Sequence, residues 1–264
     1  MTRTVLITGA SAGIGEQFAL VFAQQGFDLV LTARREDRLR TLAERLTRDY
    51  GRRVEVIVAD LAERDACARL CDEIAARGLT IDALVNNAGY GVPGAYLKSP
   101  WQRHDAFLQV LVTAVCELTY RLLPGMIARG YGRIINVASL AGLMPAPAGH
   151  TLYAASKAFV IKFSEALAAE VRAQGVHVTA VAPGFTYTEF HDVTGTREKV
   201  KSLPSWLWMD APTVARQGFE AVMAGRPLEI NGRINRTAAL LGRILPRPVL
   251  NLIVKGTARD YRQV

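Results

Sequence analysis

The chain has 264 residues, half of them hydrophobic and 21% charged, with a formal net charge of +8. This is ordinary globular composition, and the length suits one large α/β domain as well as two small ones. No apolar run approaches the roughly 20 residues that span a bilayer. Lysines and arginines are spread along the chain with no aromatic-basic platform, so the excess charge reads as solvated surface and nucleic acid is not an expected partner.

Val5-Leu6-Ile7 reads as a first strand. It meets a glycine turn almost at once, which argues against a signal peptide there. The turn Thr8-Gly9-Ala10-Ser11-Ala12-Gly13-Ile14-Gly15 opens a helix running to about Gln25. Glycines permit a tight turn and close backbone approach, and a helix N-terminus offers free N–H groups to phosphate oxygens. A second strand, Gly26 to Ala33, ends at Arg34 and Arg35. An acid at such a strand end would bind a ribose 2′-hydroxyl, whereas arginine accommodates a 2′-phosphate.

Glu36 to Tyr50 is an amphipathic helix, Val54 to Ala59 a third strand ending in Asp60-Leu61, and Arg64 to Arg77 a helix. A fourth strand, Ala83 to Val85, stops at Asn86-Asn87-Ala88-Gly89, where small residues would let backbone lie flat against a ligand. One long helix is expected from about Trp101 to Arg129, with Phe107, Val110, Leu111, Ala114, Val115, Leu118 and Leu122 at helical spacing. Gly132 to Val137 is the fifth strand and delivers Ser139; helix then runs through Tyr153 to about Gln174. Val176 to Val181 is the sixth strand, ending in Ala182-Pro183-Gly184. Beyond it come a helix from Thr213 to Gly225, a last strand or turn at Leu228 to Gly232, and a helix from Thr237 to Leu245. Strand and helix alternate without repeat or linker. The expectation is therefore one domain, 1–264, built as a three-layer, doubly wound parallel α/β sheet of Rossmann type with about seven strands. Its ligand belongs outside the carboxyl ends of the strands.

Tyr153 and Lys157, four apart on a helix, project from one face. An ammonium beside a phenol favours the phenolate. Bringing a phenol of pKa about 10 into service near neutrality asks its surroundings for about 4 kcal/mol. One lysine and a bound cationic ring could supply that, and a serine hydroxyl could hold the oxygen that the tyrosine protonates. Cys67, Cys71 and Cys116 cannot all pair and form no Cys-x-x-Cys, so no metal site is expected and a reducing, cytoplasmic compartment is.

With these residues in order at the strand ends, the first 190 or so residues resemble the short-chain dehydrogenase/reductase family. The resemblance implies an oxidoreductase passing hydride between NADP(H) and a carbonyl or secondary alcohol. It implies that Gly9, Ser11, Gly13, Ile14 and Gly15 surround the pyrophosphate, and that Arg34 with Arg35 takes the 2′-phosphate. Asp60 and Leu61 would line the adenine, and Asn87, Ala88 and Gly89 would border the ribose and the cofactor's middle. Pro183, Gly184 and Thr188 would sit beside the nicotinamide. Ser139, Tyr153 and Lys157 would be catalytic, Tyr153 as the proton donor or acceptor and Lys157 on the nicotinamide ribose. The family's helix asparagine, which shapes the backbone and helps hold a proton-relaying water, falls at Leu111, thirteen positions before Pro124. A catalytically impaired NADP-binding or regulatory protein is therefore the alternative reading.

The segment about 185–212 is expected to cover the substrate. Phe185, Tyr187, Phe190, Leu203, Trp206, Leu207, Trp208 and Met209 make it predominantly apolar. That favours a hydrophobic or aromatic small-molecule substrate. His150 and His191 flank the same region and could face substrate or solvent. The tail, about 236–264, is apolar and basic together; packing within the protein or an oligomer is favoured over contact with a membrane surface. A homodimer or homotetramer through the long helices is expected.

Overall fold

The computed structural model describes residues 2–146, 148–149, 151–189 and 204–245. Expectations for His150, Phe190, His191, Leu203 and the tail beyond Leu245 lie outside the described residues.

Seven strands pair in parallel in the order β3-β2-β1-β4-β5-β6-β9: β1 Thr4–Thr8, β2 Asp28–Thr32, β3 Val54–Val56, β4 Ala83–Asn86, β5 Gly132–Val137, β6 Val176–Ala182 and β9 Leu228–Ile230. Central strands of such a sheet are covered on both faces, so their side chains are apolar at successive positions. Val5 and Ile7 enter one core layer while Leu6, between them, enters the other. The first layer includes Phe18 and Phe22 of α1 (Gly13–Gln24), Leu39 and Leu46 of α2 (Glu36–Tyr50) and Val214 and Val222 of the helix Ala211–Met223. The second holds Leu70 of α3 (Ala66–Ala76), Phe107 of α4 (Trp101–Leu108), Leu118 of α5 (Ala114–Ala128) and Val171 of α6 (Thr151–Val171). Each large side chain so buried contributes about 1.5–3 kcal/mol. Ala211–Met223 is α7, capped by the Asp210 carboxylate accepting from the Thr213 N–H at 2.7 Å.

Strand order reverses between β1 and β4, so the loops after these two strands open a crevice at the carboxyl edge. Several elements differ from the sequence expectation. The long helix is not regular: a π turn, Gln109–Thr113, joins α4 to α5, with the Ala114 N–H bonded five residues back to the Gln109 carbonyl. The buried residues Phe107, Val110, Leu111, Ala114, Val115 and Leu118 keep three- and four-residue spacing in sequence across the turn, so periodicity does not disclose it. By length and composition Trp101–Ala128 is apolar enough to cross a membrane, more than the sequence reading allowed. Its buried side nonetheless packs on the sheet through Phe107, Leu111, Ala114 and Leu118.

Strand β3 stops at Val56, although the Ile57 and Ala59 N–H groups still bond the carbonyls of Leu31 and Ala33. The last described helix, α8 (Arg233–Ile244), begins four residues before the expected Thr237. An unforeseen two-stranded parallel sheet pairs β7 (Phe185–Tyr187) with β8 (Trp208–Asp210) at the two described ends of the expected substrate-covering segment.

Candidate active site

The crevice is knitted together by Thr8, a residue that the motif contains but that sequence reasoning gave no role. Its buried hydroxyl donates to the Val85 carbonyl at 3.2 Å and accepts from the N–H groups of Asn87 and Ala88 at 2.9 and 3.0 Å. The Asn87 amide donates to the carbonyls of Thr8 and Gly9 at 3.0 and 3.1 Å. Asn87 thus fixes one loop to the other. The only signal in sequence would have been a polar residue ending a buried apolar strand.

The same closeness explains two glycines. Gly9 sits at φ 65°, and a Cβ there would lie 2.8 Å from the Ala88 Cα; a Cβ on Gly15 would lie 2.3 Å from the Gly9 carbonyl oxygen. Gly13 faces Thr188, whose methyl would stand 3.2 Å from a Cβ at that glycine. Ile14 turns inward against the core instead. The loop therefore presents backbone to the crevice, with Ser11 on its rim.

Arg34 is exposed and borders a cavity of about 460 Å³ with Val58, Ala59, Asp60, Glu63 and Arg69. Asp60 turns back to accept from the Ala62 N–H at 3.0 Å. Leu61 is buried in the core, so only its backbone is available to a ligand. Arg35 lies across the glycine loop, its Nε and Nη2 donating to the Ser11 hydroxyl at 3.2 and 3.1 Å. Its Nη1 meets Glu189 at 3.0 Å, and Arg38, unremarked in the sequence reading, meets the same carboxylate at 2.7 Å. These guanidiniums hold the Glu189 carboxyl below its ordinary range, and Glu189 holds Arg38 above its own.

At the other end of the crevice, β5 delivers Ser139, whose Oγ accepts from the Ala141 N–H at 3.2 Å. The next residue, Leu140, bonds the Pro183 carbonyl at 2.9 Å, placing Ser139 beside the turn that follows β6. Gly184 of that turn lies so close to Asn235 of α8 that a Cβ would stand 2.6 Å from the amide nitrogen. Helix α6 is locked to the sheet by a buried polar chain. The Asn86 amide donates to the Asn136 side-chain oxygen at 2.8 Å, and the Asn136 amide donates to the Ser164 hydroxyl at 2.9 Å. Ser164 is seven residues beyond Lys157, on the same helix face.

That anchoring brings Tyr153 and Lys157 to Ser139. The Ser139 hydroxyl hydrogen-bonds the Tyr153 phenol oxygen, which pulls the phenol pKa down; burial is the larger effect and pushes it up. Lys157 is buried and donates from Nζ to the Val137 carbonyl at 2.8 Å, its nitrogen 5.8 Å from the centre of the Tyr153 ring. Burial lowers the ammonium from its ordinary 10.5 to about 8. In this arrangement the lysine is turned to main chain, and burial, not the ammonium, dominates the phenol.

Leu111 sits in the π turn, 1% exposed, its Cγ 3.6 Å from where a Cβ on Gly89 would be. The backbone irregularity thus occurs with leucine at its centre. Phe185 and Tyr187 meet Trp208 across the small sheet, at ring separations of 5.6 and 4.6 Å. Met209 instead packs toward the core, near Gly232. Trp206 is exposed. The three cysteines are unpaired, and among the described residues no cluster of His, Cys, Asp or Glu could hold a metal ion.

Fold and crevice together define a doubly wound α/β protein in which a glycine-turn edge and a Ser–Tyr–Lys cluster face one opening. A family model described as short chain dehydrogenase matches residues 3–199, and the chain belongs to that family of oxidoreductases, which act on small molecules. The very-long-chain 3-oxoacyl-CoA reductase of Anas platyrhynchos is 37% identical over 195 residues, covering 72% of this chain; the chain spans 61% of that protein's length. A short-chain dehydrogenase from Sphingobium yanoikuyae, solved in complex with NADPH, superposes with a TM-score of 0.81 at 33% identity, covering 91% of this chain and 93% of that one. A bulky-bulky ketone specific alcohol dehydrogenase from Comamonas testosteroni superposes at 0.75 with 29% identity, covering 93% and 95%.

Proposed function

We propose that the protein is an NADP(H)-dependent carbonyl reductase or alcohol dehydrogenase acting on a hydrophobic or aromatic substrate. The observation that carries this reading is the convergence of Ser139, Tyr153 and Lys157 at the carboxyl edge, across the crevice from a glycine turn with no room for side chains at Gly9 and Gly15.

The residues fit a phosphorylated dinucleotide. Gly9, Ser11, Gly13 and Gly15 would receive the pyrophosphate with backbone and hydroxyl donors. Arg34 and Arg35 would take a 2′-phosphate, and Arg35 already holds one anion, the Glu189 carboxylate at 3.0 Å, which supports its part in that seat. The Asp60 loop would border the adenine; Ala88, Gly89, Pro183, Gly184 and Thr188 would border the remainder. NADPH in the Sphingobium yanoikuyae relative is consistent with this assignment.

The bound nicotinamide would supply or accept the hydride. The protein's part is the proton. Tyr153, kept neutral by burial, donates its hydroxyl proton to the carbonyl oxygen in reduction and recovers it in oxidation. Ser139 holds that oxygen by a second hydrogen bond. Lys157 would exchange its bond to Val137 for one to the ribose and bring its charge toward the phenol. The Phe185–Tyr187–Trp208 cluster supports an apolar or aromatic substrate, as do the very-long-chain acyl and bulky ketone substrates for which the Anas platyrhynchos and Comamonas testosteroni relatives are named.

Leu111 supports a second reading, an NADP-binding protein with impaired turnover, because an apolar side chain replaces an amide beside Gly89. A panel of carbonyls and alcohols, read by NADPH or NADP⁺ consumption, separates the two: turnover of aromatic ketones is expected, and cofactor binding without turnover of any substrate would favour the silent binder. One domain, cytoplasmic placement and a homodimer or homotetramer complete the proposal. Free thiols favour a reducing compartment, and exposed Tyr120 and Phe159 on α5 and α6 favour association.

A further inference from the structure

Glu189 has no part in the function proposed above, yet its carboxylate is held by two arginines. It stands directly after Thr188, at the described end of the turn that follows β6 and packs on Gly13. Both carboxylate oxygens accept from Arg38 Nη1, at 2.7 and 2.9 Å, and Oε2 also accepts from Arg35 Nη1 at 3.0 Å. Arg35 in turn reaches Ser11. The result is a row, Ser11–Arg35–Glu189–Arg38, joining the glycine loop, the start of α2 and a segment 154 residues away from Arg35. Of the other acids here, Glu16 pairs with Arg45 and Glu36 with Arg40, while Asp37 adds a weaker attraction to Arg38 than Glu189 does.

A guanidinium fork binds carboxylate and phosphate oxygens with the same donors. Arg35 and Arg38 each aim Nη1 at this one carboxylate, so the two guanidiniums together are also a seat for a phosphate monoester. The two anions cannot share these donors: a carboxylate left beside a phosphate would repel it.

We infer that Glu189 is a cofactor-specificity residue, an internal anion that occupies Arg35 and Arg38 and that a 2′-phosphate must displace from them. This rests on the NADP(H) reading and deepens it. A dinucleotide without the phosphate meets no such competitor, so Glu189 holds down the preference for NADPH while Arg35 and Arg38 create it. Arg38 becomes a third phosphate-seat residue beside Arg34 and Arg35. Ionised Glu189, kept so by its arginines, is an anion at neutral pH. The side chains are 41–45% exposed, so each pair is weak and the summed competition is modest.

The test is binding of NADPH, NADH, 2′,5′-ADP and 5′-AMP to the full chain by calorimetry, for wild type and Glu189→Gln. NADPH and 2′,5′-ADP are expected to tighten roughly three- to tenfold in Glu189→Gln, with NADH and 5′-AMP changing less than about twofold. Unchanged or weaker NADPH binding, or equal shifts for all four ligands, would overturn the inference. Glu189→Ser repeats the measurement should the glutamine variant fail to fold. The wild-type arm isolates the underlying reading: equal NADPH and NADH affinity in wild type removes NADP(H) as the preferred cofactor. A gain confined to the phosphate-bearing ligands in Glu189→Gln would still uphold the competition.

Discussion

The two ends of the crevice are built on opposite electrostatic plans. At the Ser139–Tyr153–Lys157 end Lys157 is buried and Tyr153 half-buried, and desolvation moves the phenol up and the ammonium down, each toward its neutral form. At the Ser11–Arg35–Glu189–Arg38 end the side chains stay 41–45% exposed, remain charged and are matched by opposite charge. The first plan tunes proton affinity, because desolvation acts on the charged form directly. The second tunes anion affinity through many weak contacts, each screened by solvent and salt. Changes at the first end should therefore alter chemistry and its pH dependence, and changes at the second should alter cofactor binding alone.

The largest expected effect is at the proton donor. Tyr153→Phe should lower kcat by about a thousandfold while leaving NADPH affinity within about twofold, measured by steady-state rates and fluorescence titration. Retained turnover would remove the proposed chemistry and with it the contrast.

Lys157→Met tests burial as the tuning force. In the folded protein Lys157 gives up its proton near pH 8, whereas unfolded it keeps it to about 10.5. Between those values the unfolded state binds more protons, so wild-type stability rises with pH through the window; below pH 8 the buried charge exerts its full cost. Relative to Lys157→Met, wild type should gain about 3 kcal/mol between pH 8 and 10.5 in denaturant unfolding. A pH-independent difference would show that the ammonium is not desolvated.

At the open end, Arg35→Leu should weaken NADPH roughly tenfold with little change for NADH, and the difference should shrink at high salt. An equal loss for both cofactors would mean that Arg35 supports the loop through Ser11 rather than the phosphate. The smallest effect is expected at the π turn. Because the irregular backbone forms with leucine in place, Leu111→Asn should change kcat and its pH profile by no more than about threefold. A larger rise would show that proton delivery limits the native chain.

Much of this was legible from consecutive residues. Val5-Leu6-Ile7 before Thr8 to Gly15, and Ala83 to Val85 before Asn87, follow patterns in which strand, turn and helix preferences reside in neighbouring side chains. So does the Tyr153–Lys157 spacing, since any helix places i and i+4 together. Less legible was what each residue touches. Asn87 and Leu61 read as ligand-lining, but the Asn87 amide is spent on the glycine loop and the Leu61 side chain on the core. The π turn was hidden because the apolar residues on either side of it keep ordinary helical spacing in sequence. The β7–β8 pair escaped because its strands are three residues each.

The sequence by itself determined the parallel α/β order, the family, and the helical spacing that puts Tyr153 and Lys157 on one face, because periodicity and short motifs are local properties. Only the tertiary structure decided that Lys157 faces the Val137 carbonyl, that Thr8 ties two loops together, and that Glu189 lies between Arg35 and Arg38. Those partners are 20 to 154 residues apart, and no local preference encodes them. They meet because the packed helices and the sheet leave their strand ends at one edge, where desolvation and charge then select the contacts.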